Sequence, residues 1–121
     1  MGIARTEDLR QRTKRFALEV VKLSQILKNG NEARVLGHQL LRSGTAVAAN
    51  YRAACRARSR AEFIAKLGVV VEEADETVFW CELLEDAGIV SHEDMKDVMG
   101  EARELLSIFS AGRKTAKTRT P

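Results

Sequence analysis

Proline is nearly absent from this chain of 121 residues. The only one is Pro121, the last residue, so nothing before it forces a helix to break. Aromatic residues supply 5% of the chain against 45% for all apolar types. A core must therefore be built from Leu, Val, Ile and Ala, as helical bundles are. The two cysteines, Cys55 and Cys81, make no CxxC pair. A disulfide framework and a zinc site are not expected, and both thiols read as small packing residues of a reducing cytoplasm. No stretch reaches the about 18 apolar residues of a membrane span, and MGIARTEDLRQRTKRF at the start lacks the apolar region of a secretory signal. No membrane partner is expected.

What is present is helical periodicity in one domain. Leu9, Phe16, Val20, Leu23 and Leu27 recur at spacings of seven, four, three and four, a stripe facing a core. Thr6 with Glu7 and Asp8 suits the start of this first helix, and Lys28-Asn29-Gly30 its end, with Asn29 or Gly30 in a left-handed cap. Asn31 is the expected N-cap of a second helix, whose apolar side runs from Val35 to Cys55. Gly37 and Gly44 inside it each cost about 1 kcal/mol relative to alanine, which implies that another helix approaches closely there. Ser59-Arg60-Ala61-Glu62 is a capping box opening a third helix with Phe63, Leu67, Val70, Ala74, Val78, Cys81 and Leu84. Ala87-Gly88 ends it. Ser91-His92-Glu93-Asp94 starts a fourth, with Met95, Val98, Ala102, Leu105 and Phe109 on one face. The expected helices span 6–28, 32–57, 60–87 and 92–111, in a domain of residues 1–112 followed by a disordered basic tail, 113–121. Short turns make consecutive helices antiparallel neighbours. The expected fold is all-α, a left-handed up-down-up-down four-helix bundle.

Charge is unevenly spread. Residues 1–58 hold 12 Lys/Arg against 4 Asp/Glu, whereas residues 72–104 hold 2 against 12. The carboxylates of the third helix (Glu72, Glu73, Asp75, Glu76, Glu82, Glu85, Asp86) raise di-iron or acid–base chemistry. A di-iron bundle needs Glu-x-x-His motifs, and neither His38 nor His92 has a glutamate three residues earlier. A solvated or salt-bridged acidic face is the plainer reading. No metal, no cofactor and no enzymatic activity are expected. With a turn near residue 58, positions equidistant from it face one another, and Arg42 is predicted to pair with Glu73 or Glu76 across the helix interface. At the corner between the second and third helices, Arg52, Arg56, Arg58 and Arg60 cluster beside Tyr51. Two readings stand: a surface for a phosphate backbone, or a solvated helix end whose cations suit the C-terminal dipole. The third helix is apolar over a wide arc, and adjacent Phe79 and Trp80 point different ways. An oligomer face or a broad buried monomer face accounts for this.

Arg42-Ser43, Val47, Ala49-Asn50-Tyr51-Arg52, Ser59, Glu62-Phe63, the acidic run Glu72 to Glu76, and Trp80 to Leu84 together form a recognisable pattern. It resembles the bacterial four helix bundle protein family, closely over residues 36–90 and loosely over the whole chain. That family includes proteins encoded by intervening sequences of 23S rRNA genes and the accessory variability determinant of diversity-generating retroelements. The resemblance implies a four-helix protomer assembled as a homopentamer with a central channel. For the retroelement branch it also implies a nucleic-acid-binding subunit that works with a reverse transcriptase. The residues assigned to nucleic acid, on charge, are Arg52, Arg56, Arg58 and Arg60, with Arg12 and Arg15 as lesser candidates. The expected function is a non-enzymatic, cytoplasmic, oligomeric accessory protein that binds an RNA or DNA backbone through this basic surface. The alternative is a structural or protein-interaction scaffold with no nucleic-acid ligand.

Overall fold

The computed structural model describes the backbone of residues 3–27 and 29–119, and the side chains of residues 8–27 and 29–119. Four helices follow in order: α1 (Ile3–Gln25), α2 (Asn31–Ala54), α3 (Arg60–Asp86) and α4 (His92–Thr118). No strand occurs among the described residues. Each helix packs on the next, and α4 closes the ring against α1. Neighbours run in opposite directions, because partner numbers rise on one helix as they fall on the other. Gly44 sits against Val20 and Gly37 against Leu27; Ser43 meets Thr77; Arg103 meets Glu82 and Arg113 meets Ile64.

The core follows the apolar stripes. Phe16 and Val20 of α1, Leu40, Val47 and Tyr51 of α2, Leu67, Val70, Cys81 and Leu84 of α3, and Met95, Leu105 and Phe109 of α4 are all buried. Full burial of a side chain of this size contributes about 1.5–3 kcal/mol. Tyr51 and Phe109 reach across the bundle with ring centroids 4.9 Å apart. Burial also pushes the Cys81 thiol up to about 12. The buried hydroxyls of Thr13, Ser43 and Thr77 all find partners. Thr13 donates to the carbonyls of Leu9 or Arg10, 2.9 and 3.1 Å away. Thr77 Oγ1 lies 2.7 Å from the Glu73 carbonyl and 3.0 Å from Ser43 Oγ.

Helix ends show where local chemistry acts. Ser59 accepts from the Glu62 N–H at 3.0 Å, and Ser91 from the Asp94 N–H at 3.1 Å. Gly88, at φ 74°, closes α3 in the left-handed conformation that glycine adopts freely. Its N–H donates to the Glu85 carbonyl and the Ile89 N–H to the Leu84 carbonyl, a Schellman pair.

Several boundaries differ from expectation: α1 begins at Ile3 rather than at Thr6, and α2 ends at Ala54 rather than at residue 57. Helix α1 ends at Gln25, and Lys28 lies outside the described residues. Gly30, not Asn31, occupies the N-cap of α2; its φ is 153°, outside the left-handed helical region expected of a C-cap. Asn31 is the first helical residue, and its Oδ1 accepts from Arg34 Nη2 at 3.1 Å. The C-terminal segment expected to be disordered is helical through Thr118. Nothing in Arg113–Thr118 breaks a helix, and two contacts hold it to α3. Arg113 Nε donates to the Ile64 carbonyl at 3.1 Å, and Arg60 Nε donates to the Ala116 carbonyl at 3.1 Å. Residues 120 and 121 lie outside the described residues.

Candidate nucleic-acid interface

The antiparallel order places the start of α1, the end of α2, the start of α3 and the end of α4 at one pole of the bundle, where Asp8 and Glu62 are outnumbered by Arg52, Arg56, Arg58, Arg60, Arg113, Lys114 and Lys117. No Asp or Glu occurs between Glu32 and Glu62, nor after Glu104. That pole is therefore strongly basic. The opposite pole carries the end of α1, the start of α2, the end of α3 and the start of α4, where Glu82, Glu85, Asp86, Glu93, Asp94 and Asp97 outnumber Lys22, Arg34 and Lys96.

The arginines assigned from sequence separate by what they touch. Arg52, Arg56 and Arg58 are exposed, and none has a hydrogen bond or ion pair with another described residue. They sit where α2 tightens into single turns, with the Arg56 and Ala57 N–H groups donating to the carbonyls of Ala53 and Ala54 at 3.0 Å. Arg60 is at the same pole but is engaged. Its guanidinium caps the Ala116 carbonyl through Nε and Nη2, where a cation also suits the negative end of the α4 dipole. Arg12 is taken out of the set. It forms a two-pronged bond to Glu101, Nε to Oε2 at 2.7 Å and Nη2 to Oε1 at 2.8 Å. That hydrogen bond holds its pKa above the ordinary value against the opposing effect of burial. Binding a phosphate there means giving up a half-buried ion pair. Arg15 is exposed on α1, about one helical turn beyond Arg12.

Arg42 lies between both of its candidate partners. Nη1 donates to Glu73 Oε1 at 3.3 Å, Nη2 contacts Glu76 Oε2, and Nε donates to Gln39 Oε1 at 3.2 Å. The Glu76 hydrogen bond, chiefly, raises the Arg42 pKa. Glu73 is raised too, because burial outweighs the pull of Arg42. The pair is solvent-facing, so it contributes about 0–1 kcal/mol and acts more as a register pin between α2 and α3.

A protein-family model described as 23S rRNA-intervening sequence protein matches residues 5–111. The chain belongs to this family. Among solved structures, the chain is similar to a Bacteroides thetaiotaomicron VPI-5482 protein described as of unknown function from the S23 ribosomal protein family. The two are 34% identical with a TM-score of 0.81, over 87% of this chain and 97% of that one. No curated protein matches.

Two features of this family member escaped the sequence reading. The Arg12–Glu101 pair joins residues 89 apart, a separation at which no local pattern speaks. The basic residues of the last turns of α4, set aside as a tail, are part of the folded pole. Their signal was the unbroken absence of carboxylates after Glu104. Among the described residues no group of three His, Cys, Asp or Glu is placed to hold a metal ion, and no helix is long and apolar enough to cross a membrane.

Proposed function

We propose that this protein is a non-enzymatic accessory protein that binds the phosphate backbone of RNA or DNA at its basic pole. The observation that carries this reading is the contrast between charges. Arg12 and Arg42 are neutralised within the fold, while Arg52, Arg56 and Arg58 stand exposed on one corner without partners among the described residues. Cations left unpaired in this way bind polyanions by releasing condensed counterions. The protein works as a cytoplasmic homo-oligomer, a pentamer by analogy with its wider family, so that several weak protomer contacts add by avidity. For a chain of the retroelement branch, a reverse transcriptase is the natural co-worker.

The apolar outer face of α3 supports the oligomer. Phe79 is 50% exposed and stacks edge-on against Trp80 at 4.9 Å. Trp80 Nε1 is buried without an acceptor among the described residues. The same face also fits the second reading, a scaffold whose ligand is another protein.

The test is fluorescence anisotropy with a structured RNA and a matched DNA duplex over a salt series, with mass measured by light scattering. Arg60 is left intact because it caps α4. Binding that falls steeply with salt and is lost in a folded, still oligomeric Arg52/Arg56/Arg58→Glu variant is the expected result. No binding by well-folded wild type at low salt refutes the proposal and leaves the scaffold.

A further inference from the structure

Gly68 lies well inside α3, where glycine costs about 1 kcal/mol relative to alanine. Its neighbour explains it. A Cβ at this position would stand 3.0 Å from Arg113 Nε and 3.2 Å from both Cζ and Nη2. The guanidinium of Arg113 thus lies against bare α3 backbone, in space that any side chain would take. Its Nε is also bonded to the Ile64 carbonyl at 3.1 Å. One of five N–H donors is used, and the group is held in place from two sides.

Beside it runs a cleft of about 390 Å³ between α3 and α4, lined by Val71, Ser110, Arg113, Lys114, Lys117 and Thr118. The lining holds three cations, two hydroxyls, one apolar side chain and no carboxylate. Neither Lys114 nor Lys117 has an ion-pair partner among the described residues. Arg60, at the α2–α3 corner, bonds to the Ala116 carbonyl, in the same turn of α4 as the cleft residues Lys114 and Lys117.

We propose that the α3–α4 cleft is a phosphate subsite that extends the nucleic-acid surface from the corner along α4. The inference rests on the nucleic-acid reading above. A guanidinium already oriented by its packing loses little freedom on forming paired bonds to phosphate oxygens. Lys114 and Lys117, about one helical turn apart, flank it as mobile point charges. Val71 gives the floor an apolar surface for a sugar or base. The same chemistry accepts the phosphates of a free nucleotide; the assignment made here is to the phosphodiester backbone of a strand.

The experiment uses the full chain, a labelled single-stranded RNA of mixed sequence, and ATP as competitor. Five variants are compared with wild type: Lys114→Gln/Lys117→Gln, Gly68→Ala, Arg113→Gln, Gly68→Ala/Arg113→Gln and Arg52/Arg56/Arg58→Glu. Circular dichroism and melting establish that each is folded. The lysine variant is expected to flatten the plot of log affinity against log salt by about one to two, since each lost phosphate contact in a single strand removes about 0.7. Gly68→Ala is expected to weaken binding when Arg113 is present and to leave binding unchanged in an Arg113→Gln background, because it acts on binding only by lifting the guanidinium. Wild-type affinity and salt slope in the lysine variant, with binding lost in the Arg52/Arg56/Arg58→Glu variant, overturn the subsite and leave the corner standing. A wild type that binds no RNA at low salt overturns both. ATP held through Lys114 and Lys117 by a chain whose RNA binding ignores them overturns the backbone assignment.

Discussion

Gly44→Ala is the sharpest probe of how closely α1 and α2 approach. A methyl group there would stand 2.8 and 2.9 Å from the two γ carbons of Val20, and 3.2 Å from its Cβ. Val20 is wholly buried, and a β-branched side chain in a helix has one strongly preferred rotamer. With both γ carbons in contact, no rotation relieves the clash, and the helices must move apart. Overpacking of this kind costs about 1–3 kcal/mol, against a propensity gain of about 1 kcal/mol for replacing glycine. The expected result is a net loss of about 1 kcal/mol. Gly100 is the control: nothing lies within 4 Å of a Cβ there, so Gly100→Ala should stabilise by about 0.5–1 kcal/mol. Val20→Ala alone should cost about 2–3 kcal/mol by leaving a cavity. Added to Gly44→Ala it should cost less than the sum, by about 1–2 kcal/mol, because the new methyl fills part of the space vacated. Urea unfolding with a common m value reads all four. Gly44→Ala as stabilising as Gly100→Ala, or strict additivity with Val20→Ala, would refute the close-approach reasoning.

Truncation after Gly112 should lower the melting temperature rather than leave it unchanged, because it removes Arg113 from Ile64 and the acceptor of Arg60; an unaltered melt would show that these contacts contribute nothing. Only one thiol should react with a disulfide reagent in native protein at pH 8, the half-exposed Cys55, and two after denaturation; two fast native thiols would contradict the burial of Cys81. The Cys81 shift also has a definite sign. Its thiol ionises near 9 when unfolded and at about 12 in the fold, so the unfolded chain loses its proton first. Stability should fall by up to about 1.4 kcal/mol per pH unit above 9 from this group, and Cys81→Ala should remove that component of the alkaline slope. Arg12→Ala should cost about 1–2 kcal/mol, since it strands a half-buried carboxylate, whereas Arg42→Ala should cost under about 1 kcal/mol; the reverse order in urea melts would overturn the burial argument.

The features legible in the sequence are those set by neighbours in the chain or by one short turn. The stripe from Leu9 to Leu23 needed only helical spacing. The glycines at 37 and 44 signalled a close approach because nothing else justifies their cost. Arg42 could be placed beside Glu76 because the α2–α3 turn fixes which residues face each other. Arg12 could not be matched to Glu101, since α1 and α4 meet only after two other helices have set their geometry. Asn31 outranks glycine as a cap by propensity, yet the chain direction after Gln25 places Gly30 there. The basic C-terminal segment looked disordered because its anchors, the Ile64 carbonyl and the Arg60 side chain, belong to another helix. At the candidate site, charge marked the corner but could not separate exposed Arg56 from engaged Arg60, a distinction made by tertiary contacts alone.

The separation of charge between the two poles has a kinetic consequence. A rod with cations at one end and carboxylates at the other is an electric dipole along its long axis. In the field of any polyanion it turns before it touches, presenting the corner of Arg52, Arg56 and Arg58 and holding Glu85, Asp86 and Glu93 away. Such steering multiplies productive encounters and fades as the Debye length shrinks with added salt. Encounter orientation is thus written into the order of the helices: reversing the acidic and basic stretches along α3 and α4 would keep the net charge of +3 and lose the alignment.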